Sequence, residues 1–103
     1  MPTVTDGSPN GSRAEPVAYR VVVHGFVQGV WFRESCRRQA ASLGVSGWVR
    51  NRADGTVEVH LEGRETQVAQ MVAWCRIGPP AAEVSGVDVT TTKPNGARGF
   101  QVR

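Results

Sequence analysis

The segment Gly25-Phe26-Val27-Gln28-Gly29-Val30-Trp31-Phe32-Arg33 holds the residue types and spacing best suited to chemistry in this chain. A glycine-bearing loop that feeds a helix can turn several backbone N–H groups toward one point. The first helical turn adds unsatisfied donors and the positive end of the helix dipole. Together these make a place for a phosphate-like anion. Arg33 falls in that first turn, where a cation is disfavoured by about 0.3–1 kcal/mol. A guanidinium makes sense there if an anion lies between it and the loop amides, because its planar fork can grip two phosphate oxygens at once. Taken alone, the same residues also read as a tight turn followed by a solvated arginine, since one glycine-rich loop is a weak signal.

Asn51, at the end of Gly47-Trp48-Val49-Arg50-Asn51, is the second candidate. Asparagine is depleted in strands, so its place near the end of one asks for a reason. A neutral amide can donate to and accept from a water and fix its direction of attack. It could equally do no more than shape the approach to the Asp54-Gly55 turn. Other chemistries lack their parts. The two histidines, His24 and His60, join no acidic cluster at metal-ligand spacing, so no metal site is expected. No GxSxG elbow is present. Cys36 comes after Arg33 on an apolar stripe, so it reads as packing rather than as a nucleophile ahead of an anion loop. His60 alternates onto the polar face of its strand and is expected to be exposed. Trp31, Trp48 and Trp74 read as packing residues.

The elements that must position these groups follow from periodicity. Ala18 to His24 is β-branched and reads as a first strand, broken by the two glycines of Gly25-Phe26-Val27-Gln28-Gly29. Phe32, Cys36, Ala40 and Leu43 make one apolar helical face, and Gly44 is a good stop. Val45 to Arg52 and Thr56 to Glu62 read as strands joined by the Asp54-Gly55 turn. In the second of these, Val57, Val59 and Leu61 alternate with Glu58, His60 and Glu62, which predicts one buried and one solvated face. A helix over 65–77 carries the stripe Val68, Met71, Val72, Cys75 and ends at Gly78-Pro79-Pro80. Glu83 to Thr91 is a fourth strand with Val84, Val87 and Val89 inward and an irregularity near Gly86. Residues 93–99 form a loop, and Phe100 to Val102 a short edge strand. The order βαββαβ plus a terminal strand predicts an α+β, ferredoxin-like two-layer sandwich: an antiparallel sheet with two helices on one face.

At 103 residues the chain suits one domain. Residues 1–16, rich in Pro, Gly, Ser, Thr and Asn, read as a disordered tail, and 17–103 as the folded domain. The net charge of +3, carried by eleven Arg and one Lys, suits an anionic ligand but is too small and scattered to imply nucleic acid. RNA-binding domains with this strand order stack bases on sheet aromatics, and the third strand has none. No apolar run can span a membrane, and the N-terminus lacks a signal-peptide core. These features predict a cytoplasmic monomer with no nucleic-acid or membrane partner. Cys36 and Cys75 fit no zinc or redox spacing and read as reduced, buried thiols, although a bridge between the helices stays open.

The loop resembles the acylphosphatase family's motif G-x-V-Q-G-V-x-F-R at every fixed position. Gly47 to Asn51, followed by Asp54-Gly55-Thr56-Val57-Glu58, resembles its second signature. Gly78-Pro79-Pro80 with Val84 also fits, so the resemblance runs from about Val17 to Arg103. It implies a cofactor-free enzyme that hydrolyses small-molecule acyl phosphates to a carboxylate and phosphate. By the motif match Arg33 would bind the phosphate and Asn51 would orient the water. Gly25, Phe26, Val27, Gln28, Gly29 and Val30 would supply the phosphate cradle. A same-fold anion sensor without turnover is the alternative, because fold does not fix function.

Overall fold

The computed structural model describes residues 15–103. Residues 1–14 of the expected tail lie outside the described residues. The elements run β1 (Val17–Phe26), α1 (Phe32–Leu43), β2 (Ser46–Asn51), β3 (Val57–Gly63), α2 (Glu65–Cys75), β4 (Glu83–Thr92) and β5 (Phe100–Val102). The strands form one sheet in the order β4-β1-β3-β2-β5. β3 pairs antiparallel with β1 and β2, and β1 pairs antiparallel with β4. This is the expected α+β, ferredoxin-like arrangement.

Both helices lie on the same sheet face because their apolar stripes have the same partners. Phe32, Cys36 and Ala40 of α1 and Val68, Met71 and Cys75 of α2 join Val21, Val23, Val49, Val57, Val59 and Leu61 in one core. Fully burying a side chain such as Phe32, Leu61 or Met71 is worth about 1.5–3 kcal/mol. The expected stop of α1 at Gly44 is a Schellman cap. Gly44 is left-handed (φ 72°), its N–H donates to Ala41 at 3.3 Å, and the Val45 N–H donates to Ala40 at 2.9 Å. Cys36 and Cys75 are buried and unbridged, and burial followed by the neighbouring Cys75 pushes the Cys36 thiol up.

Several expectations need correction. The sheet is mixed: β5 lies beside β2 and runs parallel to it. Gly25 does not break β1, which continues through Phe26 by pairing with β4. The expected irregularity near Gly86 is the device that permits this. His24 faces Gly86 while Gly25 faces Val84, so Ser85 is left unpaired as a bulge. Only glycine fits at Gly25, where φ is +124° and a Cβ would stand 2.1 Å from the Glu83 carbonyl oxygen. On β4, Val84 and Val87 pack against the core, but Val89 is 40% exposed.

The polar face of β3 is not solvated. Glu58, His60 and Glu62 are all buried, His60 to 6% exposure. Alternation put them on the face away from the helices, but long neighbours and a loop cover that face. Arg20 and Arg50 close over Glu58 at 2.6 and 2.7 Å. Trp48 stacks on His60. Glu62 accepts from the backbone N–H groups of Asn95, Gly96 and Ala97 at 2.7–3.2 Å and bonds His60 Nε2. The carboxylate therefore folds the loop over 93–99 back onto the sheet.

Burial alone would raise the Glu62 carboxyl, but the bonds from His60 and the loop amides outweigh it and hold it below its ordinary 4.5. Glu58 is held low in the same sense, with burial outweighed by Arg20 and Arg50. A depressed carboxyl adds stability above its unfolded value and loses it as pH falls through the folded one. Acid should therefore unfold the protein as these two groups protonate. Glu62→Gln should cost about 2 kcal/mol at neutral pH and flatten the acid limb of a denaturation series. An unchanged acid limb would show that the Glu62 clasp carries no stability.

Candidate active site

The loop proper is five residues, Val27 to Trp31, between β1 and α1. Val27 and Val30 are buried in the core and anchor its two ends. Between them Gly29 is left-handed (φ 75°), with open space where a Cβ would stand. The Gln28 side chain leaves the loop and donates to the carbonyls of Arg52 and Thr56 at 2.8 and 2.9 Å. It thereby ties the loop to the β2–β3 turn. That turn is itself closed by Arg52 N–H to Thr56 O (2.9 Å) and by Asp54, whose Oδ1 accepts from the Thr56 N–H and hydroxyl.

These constraints bring the two sequence candidates to one cavity of about 350 Å³, although they stand far apart in the chain. Its walls are Val27, Gly29, Trp31, Phe32, Arg33, Glu34, Asn51 and Val102. Arg33 is exposed in the first turn of α1, and one guanidinium N–H donates to the Arg103 main-chain oxygen at 3.2 Å. Asn51 is the last residue of β2, paired with Val57 of β3. Of the other loop residues singled out from sequence, Val27 and Gly29 line the cavity. Gly25, Phe26, Gln28 and Val30 do not. Gly25 and Phe26 belong to β1, Gln28 acts as the tie to the turn, and Val30 faces the core.

Besides Phe32, expected only on the apolar face of α1, three wall residues were not foreseen. Glu34 follows Arg33 and is clamped by Arg37 (2.6 Å) and Arg38 (3.2 Å). The hydrogen-bonded Arg37 guanidinium is the main cause that lowers its carboxyl from 4.5 to about 2. Glu34 is thus a fixed carboxylate and a weak base at neutral pH. Its spacing to Arg37 and Arg38, three and four residues on, was the readable signal. Val102 arrives because β5 pairs parallel with β2, opposite Val49. No periodicity in a three-residue strand announces that.

Trp31 is the third, and it corrects the packing expectation. It is 77% exposed and caps α1 with φ 67° and ψ 21°. Among the described residues it alone adopts positive φ without being glycine. The left-handed conformation costs an L residue about 1–2 kcal/mol. Trp48 and Trp74 behave as expected, stacked on His60 and packed edge-on against Phe32. His24 lies off the cavity, bonded to Asp88 at 2.8 Å.

Comparison with known proteins bears on what such a cavity does. A family model described as acylphosphatase matches residues 19–102. An acylphosphatase of Thiobacillus denitrificans is 53% identical over 81 residues, 79% of this chain and 90% of its own length. One of Rubrobacter xylanophilus is 55% identical over 85 residues, 82% of this chain and 77% of its own. Among solved structures, an acylphosphatase from Coxiella burnetii is similar with a TM-score of 0.83 at 37% identity, covering 86% of this chain and 94% of that one.

Proposed function

Because the chain belongs to the acylphosphatase family and hydrolyses acyl phosphates, we propose that Arg33 and the Val27–Val30 stretch of the loop hold the phosphate while Asn51 orients the attacking water. What supports this assignment is one cavity with Gly29, Arg33 and Asn51 on its walls. Phosphoryl transfer is mainly positioning and stabilisation of charge on the equatorial oxygens. Arg33 supplies a planar pair of donors, and the loop and the start of α1 supply amides and the positive dipole end.

The oxygen of water bonds to phosphorus on the side opposite the acyl oxygen. The phosphorus–acyl oxygen bond breaks, and the carboxylate leaves with the electron pair. A carboxylate is a good leaving group, so no enzyme acid is required. The water's proton goes to a phosphate oxygen of the substrate, since Glu34 is too weak a base and His24 is outside the cavity. The charges come from the chain itself, so this scheme needs no metal or cofactor. We take the protein to act as a monomer. The unbridged thiols suit a reducing compartment, and we assign the protein to the cytoplasm.

Benzoyl phosphate turnover should be undiminished in excess chelator. Once substrate ionisation is allowed for, its pH profile should show no step near the ordinary histidine value of about 6.5. Loss of turnover in chelator would install a metal, and a histidine step would install an enzyme base. Folded protein that binds phosphate without turnover would be an anion sensor.

A further inference from the structure

We infer that Trp31 and Val102 form an acyl-group subsite that selects aromatic acyl phosphates. This deepens the reading above and rests on it. A water's share of liquid volume is about 30 Å³, so a cavity of about 350 Å³ far exceeds what a phosphate alone would fill. The polar groups that can hold the phosphate and water, Gly29, Arg33 and Asn51, occupy part of the wall. Apart from the Glu34 carboxylate, which Arg37 and Arg38 hold, the rest is apolar: Val27, Trp31, Phe32 and Val102.

Two of these four have surface left to give. Val27 and Phe32 are already spent in the core at 1% and 2% exposure, whereas Trp31 is 77% and Val102 42% exposed. Packing within the protein does not account for the indole, which makes neither of the chain's aromatic contacts among the described residues. Its backbone is also held in a region that would suit glycine better. Strain kept at an exposed aromatic on a cavity wall points to a ligand contact rather than to stability. Trp31 adjoins the helix start that carries Arg33, so an acyl group attached to a bound phosphate can reach it. An aromatic acyl group offers a flat face to the indole; a methyl does not.

The test compares kcat/KM for benzoyl phosphate and acetyl phosphate in the wild type, Trp31→Gly and Trp31→Phe. Intrinsic reactivity of the two substrates cancels when variants are compared. Trp31→Gly should lower the benzoyl-to-acetyl ratio by about 3- to 10-fold. Acetyl phosphate turnover and inhibition by inorganic phosphate should stay unchanged. Trp31→Phe should restore most of the ratio. Glycine suits the left-handed backbone, so Trp31→Gly should fold and melt no lower than the wild type. An unchanged ratio, or an equal loss for both substrates, overturns the subsite. Absence of turnover of either substrate by folded wild type would instead overturn the reading on which it rests.

Discussion

Arg33→Ala is expected to lower kcat/KM for benzoyl phosphate by about 10³-fold without lowering the melting temperature. The side chain is exposed, and its hydrogen bond within the described residues is one of 3.2 Å to a main-chain oxygen. Its removal opens no cavity in the core. It also takes a cation from the first turn of α1, which should favour the helix by about 0.3–1 kcal/mol. A gain or parity in stability alongside a collapse in turnover would be the signature of a group kept for its ligand. Arg33→Lys sharpens the experiment, because it keeps the charge and removes the planar fork. If charge alone mattered, lysine would restore turnover. A largely inactive lysine variant would assign the effect to paired donation onto two phosphate oxygens. Alanine variants within tenfold of the wild type would leave the loop amides as sufficient and the arginine without its role.

The order of elements was legible because periods of 2 and 3.6 alternate cleanly along the chain, and because Gly44, Asp54-Gly55 and Gly78-Pro79-Pro80 punctuate it. The Arg33 and Asn51 segments were legible as motifs; their meeting at one cavity was not. That depends on long-range ties such as Gln28 to Arg52 and Thr56, which leave no periodic trace. Alternation on β3 also has a blind side. A polar face covered by Arg20, Arg50, Trp48 and a folded-back loop has the same sequence pattern as one facing water. β5 has three residues, too few to carry register or direction, so its parallel pairing and the delivery of Val102 were hidden. Trp31 was hidden for a different reason. Left-handed backbone is foreseen at glycine, and a bulky aromatic there goes against local preference. Such a conflict between local preference and structure is where function is expected to show.

Asn51→Ala should lower kcat by about 10²-fold while changing the inhibition constant for inorganic phosphate by less than about threefold, which is about half of the 1.4 kcal/mol that sets a factor of ten. The two readouts separate because they probe different states. Inhibition by phosphate reports the grip of Arg33 and the loop on a bound anion, whereas kcat reports how well a water is aligned for attack. The backbone around Asn51 is held independently of its side chain by the Val57 pairing, the Arg52–Thr56 bond and the Gln28 tie. Truncation should therefore leave the loop and Arg33 where they are. Parallel losses in turnover and phosphate inhibition would make Asn51 a phosphate ligand instead. Full turnover would make it a turn residue, the structural role its place before Asp54-Gly55 also suggests. A fall in kcat alone has one explanation in this geometry: the anion is still held, and the nucleophile has lost its direction.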